Sequence, residues 1–411
     1  MSKPRLPRRV LLVVGNKGIG DAVEALPVFE MIRRHWPSVS LTAGSFRLTT
    51  QRVALSRSPY VDELVELHGS VSDPWKALPA LRANARAMRG FSDVVFLYKH
   101  QALAWPVVVA ARLAGARAHF QHGYASRGRR TTYSDFPEHV FFQIVASELL
   151  LGYPLARPLP LSWRVEPDEA RFAQGFLSKH NVEQAAPLVM LNTRGLDTRN
   201  WGIERFARLA SRLDEHGVRV IINGGSAEQV DEYRRVADQL PTSAVLLERP
   251  SVAQLTAVLA RCDLLIGEPS GPTTFAMAVG TSTLSIQGPG EYEYPGQERI
   301  GPIWWPRGPQ HEVLSGIEWC QLNVGEGCQC LRGRPTPPVR ASLQRLGVWE
   351  PLKRTRKRLL KKLGRYKRKP RQRELYSCLE SISVDRVVVT ALRMLRSAET
   401  RPVLLRDAHG V

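Results

Sequence analysis

Short apolar segments alternate with helical patterns over two long stretches of this sequence, and no other feature limits the possible fold as strongly. In the first stretch, segments suited to β-strands lie at residues 10–14, 39–43, 61–67 and 93–97. Helical patterns lie between them, at residues 23–35, 74–88 and 104–114. Because strands that alternate with helices form parallel sheets with crossover helices, this stretch predicts a doubly wound α/β domain.

The same alternation begins again after a proline-punctuated segment at residues 154–160, which we interpret as a linker. Strands are expected at 188–191, 218–222, 244–247, 264–266 and 283–286, and helices at 203–215, 227–239, 252–261, 272–279 and 384–395. We therefore predict Rossmann-like domains at 1–160 and 161–334, a basic insert at 335–376, and a closing helix and tail at 377–411. Ligands of such sheets bind beyond the carboxyl ends of the strands, which places a ligand in the cleft between two facing sheets.

The 411 residues carry a formal net charge of +20, which indicates a polyanionic neighbour. Much of the excess lies at 352–373, where thirteen residues are basic and none is acidic. Leucines recur among them at helical spacing, which favours a basic amphipathic helix on an anionic membrane surface. The alternatives are a solvated, partly disordered insert and a nucleic-acid contact; we rank the last lowest and expect no nucleic-acid partner, because no recognition motif accompanies the charge.

Hydropathy gives no sign of a membrane-spanning or secreted protein. No uninterrupted apolar run approaches the roughly 18 residues of a membrane span. The basic N-terminus is followed only by the short apolar run at 10–14, which leads directly into glycines rather than forming a signal-peptide core. We expect a cytoplasmic protein.

The segment Gly18-Ile-Gly-Asp-Ala-Val-Glu-Ala-Leu-Pro27 follows the first predicted strand and leads into the first helix. Asp21 has two interpretations. A carboxylate at a helix N-terminus can cap the helix and complement its dipole. Alternatively, it can face a ligand cleft, with Gly18 and Gly20 giving room for close approach.

Three loops of the second stretch follow predicted strands and carry polar residues. The turn Ser270-Gly271-Pro272 opens a helix, and the backbone N–H groups of such a turn attract anions. The loop at 191–201 presents Arg194 and Arg199, and arginine suits bidentate phosphate contacts. The glycine turn at 222–228 ends in Glu228, a carboxylate suited to sugar hydroxyls. Together these loops predict a nucleotide-diphosphate site.

Several segments in order resemble glycosyltransferase family 9, the lipopolysaccharide heptosyltransferases. Residues 10–27 resemble the family's opening strand, Gly-Asp turn and proline-bearing helix. Arg199-Asn-Trp201, with Glu204-Arg-Phe-Ala after it, resembles the family's Lys-x-Trp-Pro-x-Glu-x-Phe-Ala segment. Gly224-Gly-Ser-Ala-Glu228 matches its Gly-Gly-x-x-Glu turn, and the Ser270-Gly-Pro272 turn and Cys378-Leu-Glu-Ser-Ile382 follow in family order.

The resemblance implies an inverting, metal-independent transferase of the GT-B fold, with two Rossmann-like domains facing a cleft. It implies ADP-heptose as donor, a lipopolysaccharide inner-core sugar as acceptor, and a position on the inner face of the inner membrane. Asp21 would be the general base, with Gly18 and Gly20 on the acceptor side. The donor-binding set would comprise Thr193, Arg194, Arg199, Glu228, Glu268, Ser270, Gly271 and Pro272.

This sequence departs from the family at three places. Glu268-Pro269 stands where the family usually has Asn-Asp, Thr274 stands where it has His, and Arg199 replaces a lysine. These departures keep three alternatives open: another nucleotide sugar as donor, a protein acceptor, or a non-catalytic sugar-nucleotide-binding relative.

Four cysteines fall in the C-terminal quarter, at Cys320, Cys328, Cys330 and Cys378. Four thiolates can hold a metal, and the resemblance extends to relatives that bind iron through cysteines of this region. Because their spacing is not a standard zinc pattern, we expect buried free thiols and no required metal or cofactor.

Overall fold

The computed structural model describes residues 8–14, 18–46, 48–68, 74–97, 105–119, 138–152, 157–182, 186–193, 201–287, 310–315, 379 and 381–399. Its first sheet contains five strands, β1 (Arg9–Val14), β2 (Ser40–Ser45), β3 (Glu63–Glu66), β4 (Asp93–Leu97) and β5 (Arg117–His119). They pair in parallel in the order β3-β2-β1-β4-β5. The order reverses beside β1, so the switch point of this sheet lies between β1 and β4.

The second sheet contains six strands, β6 (Leu188–Asn192), β7 (Arg219–Gly224), β8 (Val245–Glu248), β9 (Leu264–Gly267), β10 (Ser282–Gln287) and β11 (His311–Ser315). They are parallel in the order β11-β10-β9-β6-β7-β8. Its switch point therefore lies between β6 and β9. The two parallel sheets confirm the predicted α/β class.

Helices follow most strands of both sheets. Those associated with the first sheet are α1 (Ile19–His35), α2 (Leu48–Leu55), α3 (Pro74–Ala87), α4 (Trp105–Leu113) and α5 (Glu138–Leu151). The remaining helices are α6 (Pro167–Lys179), α7 (Ile203–Asp214), α8 (Ala227–Arg235), α9 (Val252–Leu259), α10 (Gly271–Ala278) and α11 (Val384–Glu399), with a short 3-10 turn at Ala237–Gln239. In the described residues, no helix is both long and apolar enough to span a bilayer.

Each central strand is buried on both faces and contributes to two apolar clusters, as expected for a parallel sheet. Val10, Leu12 and Val14 of β1 pack with α1 and α5, and the same cluster continues into α9 and α10 of the second half. Leu11 and Val13 point to the opposite face, toward α3 and α4. One apolar core is thus shared between the two sheets, while α3 and α4 lie on the outer face of the first.

The segment between the halves is held against both. The Trp163 backbone N–H donates to the Ala278 carbonyl at the end of α10 (2.9 Å). Arg57, just after α2, lies over the Trp163 ring at 5.0 Å and forms a salt bridge with Glu169 of α6. Helix α6 packs against α9, which associates it with the second sheet. The domain boundary near residue 160 stays a prediction.

Helix α1 begins four residues earlier than predicted, at Ile19 instead of residue 23. Gly18 has an extended backbone (φ −90°, ψ 155°) as the N-cap, and its N–H donates to the Asp21 carboxylate. The glycines that look like a loop in the sequence therefore form the first helical turn. Helices α2, α5 and α6 and strands β5 and β11 were not predicted, and β11 lies in a region expected to consist of turns.

The end of the described chain returns to the second sheet. Leu379 and Ile382 are fully buried, and α11 packs against α7. The buried Trp201 indole Nε1–H donates to the Ile382 carbonyl (2.9 Å), and its ring meets Phe206 edge-on at 5.1 Å. The basic segment 352–373 and the tail after 399 lie outside the described residues.

Candidate active site

The carboxyl ends of the central strands mark the expected site in each sheet. Val14 of β1 pairs with Leu97 of β4 at one switch point, and Asn192 of β6 pairs with Gly267 of β9 at the other. Ligands of open α/β sheets bind at such points. The helices that leave β1 and β9 are α1 and α10, so their N-terminal turns define the candidate site.

The N-terminal turns of α1 and α10 touch each other across the two halves of the protein. A Cβ atom added to Gly20 would lie 3.3 Å from the Gly271 Cα atom, which is closer than ordinary side-chain contact. Glycine at position 20 thus permits this close approach. Since the positive ends of two helix dipoles meet here, the contact can attract an anion such as a phosphate group.

Asp21 is the third residue of α1 and is almost fully buried, with 8% of its surface exposed. The Gly18 N–H donates to its Oδ2 atom (2.9 Å), and a Cβ on Gly18 would lie only 2.9 Å from that oxygen. The capping interpretation of Asp21 is therefore realised. Gly18 and Gly20 thus both have a structural role here. Their predicted acceptor-side role stays a prediction.

Glu24 lies one helical turn after Asp21 and was not singled out from the sequence. It is buried, and the Thr274 hydroxyl of α10 donates to its Oε1 atom across the two halves (3.2 Å). Thr274, which stands where the family usually has His, therefore has a hydrogen-bond partner on α1. The signal in the sequence was the spacing, because residues three apart share one face of a helix.

A chain of side-chain hydrogen bonds crosses the strand ends of the second sheet. Asn223 Nδ2 donates to Asn192 Oδ1 (2.9 Å), and Asn192 Nδ2 donates to Ser270 Oγ (2.9 Å). Ser270 Oγ in turn donates to the Glu268 carbonyl (3.1 Å). The two asparagines were missed, although each directly follows a predicted apolar strand. They fix the start of α10 against β6 and β7.

Thr193 and Tyr233 lie buried at the same edge. Burial raises the pKa of the Tyr233 phenol, and the nearby Glu268 charge adds to the rise. The phenol is therefore neutral and can donate or accept. Neither the Tyr233 hydroxyl nor the Thr193 hydroxyl has a hydrogen-bond partner in the described part of the chain. Within the described residues, Asn223 Oδ1 has no hydrogen-bond partner, so this edge offers a buried acceptor.

Glu268, one of the predicted donor-binding residues, forms a hydrogen bond within the protein. Its side chain is fully buried, and its Oε1 atom accepts the Trp201 backbone N–H. In this way the carboxylate fixes the end of the loop between β6 and α7. Direct contact of Glu268 with a donor stays a prediction.

Of the other predicted site residues, four lie in the described part of the chain and two lie outside it. Gly271 and Pro272 form the first turn of α10, with Ser270 as its N-cap. Glu228 is exposed in the first turn of α8, whose N-cap Ser226 accepts the Gln229 N–H (3.3 Å). Arg194 and Arg199 lie outside the described residues.

Comparison with known proteins decides the family. The model of glycosyltransferase family 9 (heptosyltransferase) matches residues 108–332, more than half of the chain. The chain belongs to glycosyltransferase family 9. It is therefore a glycosyltransferase, and the predicted resemblance is confirmed.

Among curated proteins, the lipopolysaccharide core heptosyltransferase OpsX of Haemophilus influenzae is 22% identical over 304 residues, covering 71% of this chain and 81% of that protein. A family 9 glycosyltransferase structure from Veillonella parvula has a TM-score of 0.63 at 16% identity, covering 95% of this chain and 97% of that one. ADP-heptose lipopolysaccharide heptosyltransferase II of E. coli has a TM-score of 0.59 at 14% identity, covering 95% and 100%. These similarities confirm the GT-B fold.

No group of three or more His, Cys, Asp and Glu side chains in the described part of the chain is arranged to hold a metal ion. The candidates Cys320, Cys328, Cys330 and Cys378 lie outside that part. That these cysteines are free thiols and hold no metal stays a prediction.

Proposed function

We propose that this family 9 enzyme transfers heptose from ADP-heptose to an inner-core sugar of lipopolysaccharide, with inversion at the anomeric carbon. The observation that carries the proposal is the contact of the N-terminal turns of α1 and α10, because it sets the Asp21 turn beside an anion-attracting helix start. Similarity to the lipopolysaccharide core heptosyltransferase OpsX and to ADP-heptose lipopolysaccharide heptosyltransferase II supports the choice of sugar and acceptor.

Inversion requires one in-line displacement. The acceptor hydroxyl oxygen forms a bond to the anomeric carbon as the bond from that carbon to the diphosphate oxygen breaks. In the proposal, Asp21 takes the hydroxyl proton and ADP leaves with the bonding electron pair. The backbone N–H groups around Ser270 and Gly271, together with Arg199, stabilise the charge that develops on the leaving diphosphate. No step in this scheme needs a metal ion.

Donor recognition would use the strand ends of the second sheet. Glu228 would accept the ribose hydroxyls, while Thr193 and Arg194 would line the loop after β6. The buried acceptor Asn223 Oδ1 suits a hydroxyl or amino group of the nucleotide. Glu268 would act through the loop that ends at Trp201, whose N–H it accepts.

A second candidate is a relative that uses another nucleotide sugar or a protein acceptor. It is favoured by the departures at Glu268-Pro269 and Thr274, since the structure commits Glu268 to Trp201 and Thr274 to Glu24. Membership of a family of transferases argues against the alternative that this chain binds a sugar nucleotide without catalysis.

The acceptor chemistry suggests where the enzyme works. An inner-core sugar is attached to a lipid, so we place the enzyme in the cytoplasm, on the inner face of the inner membrane. The basic segment 352–373 would contribute attraction to anionic lipids.

Calorimetry with purified protein tests the donor. The panel is ADP-heptose, ADP, UDP-glucose and GDP-mannose, titrated into wild type, Arg199→Ala and the matched control Arg208→Ala, an exposed arginine of α7. We expect preference for ADP-heptose, loss of affinity in Arg199→Ala, and wild-type affinity in Arg208→Ala. Preference for another nucleotide sugar would move the assignment to the second candidate, and binding of none would contradict both.

A further inference from the structure

Helices α3 and α4 pack against each other on the outer face of the first sheet. The opposite face of that sheet carries α1 and α5, which lead into the core shared with the second half. The α3–α4 layer therefore lies on the face of the first sheet that is turned away from the second half. Its exposed side chains are not needed to hold the two halves together.

An exposed stripe runs along each of these helices. On α3 it consists of Leu78, Arg82 and Arg86, spaced four residues apart, and on α4 of Val109, Arg112 and Leu113. The apolar members are well exposed, with 52% of Leu78 and 67% of Leu113 accessible. We call these six residues the α3–α4 surface. It mixes aliphatic side chains with arginines and contains no acid.

The arginines of the α3–α4 surface have no ionic partners in the described part of the chain. Some arginines elsewhere are paired, as Arg33 is with Asp62 and Arg234 with Glu248. The local sequence accounts for the missing partners on this surface, because Asp93 is the one acid between residues 74 and 119. Its carboxylate is buried and is already bound to two basic residues of β5. Within the described residues, the positive charge of this surface is thus uncompensated.

We propose that the α3–α4 surface docks on an anionic lipid bilayer. Unpaired arginines attract lipid phosphates, while exposed leucine and valine side chains gain free energy by entering the boundary between headgroups and acyl chains. A nucleic-acid backbone would match the charge but not the aliphatic side chains, which lack the stacking surface of aromatic residues. The proposal does not depend on which sugar the enzyme transfers.

Partition of the full-length protein onto vesicles measures this contact. The vesicles contain phosphatidylcholine with or without phosphatidylglycerol, and the assay is co-sedimentation without donor or acceptor. One basic residue near an anionic surface contributes a factor of about five in partition, so Arg82→Ala/Arg86→Ala/Arg112→Ala is expected to lose about a hundredfold on anionic vesicles. Leu113→Ser is expected to lose about tenfold through its apolar contribution.

The matched control removes the same charge from the second half, as Arg208→Ala/Arg235→Ala/Arg261→Ala. These arginines are exposed, and the triple is expected to change partition by less than about fivefold because distant charges are screened. All variants keep residues 352–373, so that segment cannot account for a difference between them. Far-UV circular dichroism and thermal melting verify that each variant is folded.

Three results would overturn the proposal. These are failure of the wild type to bind anionic vesicles, equal weakening by the two arginine triples, and unchanged partition of Leu113→Ser. Binding of polyuridylate is measured with the same proteins. If the Arg82 triple lost RNA binding while its vesicle partition stayed at the wild-type level, the surface would be a nucleic-acid site instead.

Discussion

The hydrogen bond between Thr274 and Glu24 joins α10 to α1 beside the candidate site, and its removal should weaken the contact between the two halves. Thr274→Val replaces the hydroxyl with a methyl group of nearly the same shape, and the two residues have similar helix propensities. The substitution therefore removes the donor without opening a cavity. Both partners are buried, so water cannot easily replace the lost bond.

The size of the effect follows from the chemistry of the acceptor. Removing one partner of a buried hydrogen bond costs about 1–3 kcal/mol, and the cost lies toward the upper end when the remaining partner is a carboxylate. For domains of this size, each kcal/mol corresponds to roughly 2–4 °C in melting temperature. We expect Thr274→Val to melt several degrees below the wild type.

Thr42→Val is the matched control. Thr42 is buried in β2, and its hydroxyl makes no hydrogen bond within the described residues. Its replacement by valine should leave the melting temperature unchanged or raise it, because an unsatisfied polar group is removed. Differential scanning calorimetry of both variants decides the matter. If Thr274→Val melted at the same temperature as Thr42→Val, the bond to Glu24 would contribute nothing and the reasoning would be wrong.

Two further predictions concern the sheets. Burial raises the pKa of Asp93, but hydrogen bonds from β5 and Ser92 outweigh this, so its pKa in the folded protein is lowered. The stabilisation is present above the ordinary carboxyl pKa of 3.8 and is lost as pH falls through the folded-state value, so the melting difference between wild type and Asp93→Asn should shrink below about pH 4. Gly267→Ala should lower the free energy of unfolding by more than about 1 kcal/mol, because its Cβ would lie 2.3 Å from the Asn192 carbonyl oxygen. Gly175→Ala, in open space on α6, should raise the free energy of unfolding by about 0.5–1 kcal/mol. Urea unfolding measures both, and equal midpoints for the two variants would contradict the packing argument.

The sheets could be predicted because their central strands are apolar runs that need no partner to be recognised. The runs at 10–14 and 264–266 are buried on both faces, which gives a pattern visible in the sequence. β11 could not be predicted, since His311–Ser315 alternates weakly and becomes a strand by pairing with β10. Helix α5 carries apolar side chains on all sides, so it has no period of 3.6 residues to detect.

The candidate site shows the same division. The positions of Asp21 and of the Ser270 turn beyond the strand ends were predicted, because a polar residue after an apolar strand marks the functional edge of an α/β sheet. Their roles in the reaction stay predictions. The contact of Glu24 with Thr274 depends on how α1 and α10 meet, which no local pattern encodes. The early start of α1 was missed because glycines normally indicate a loop, whereas here Gly20 allows two helices to approach.

The most direct test of the central claim is the transfer rate of Asp21→Asn. Asparagine can still accept the Gly18 N–H and cap α1, so the variant should keep the wild-type melting temperature and donor affinity. An amide cannot take the acceptor proton, so the account predicts a fall in kcat of about 10²–10⁴-fold. A folded Asp21→Asn enzyme that transfers heptose at the wild-type rate would show that Asp21 only caps its helix.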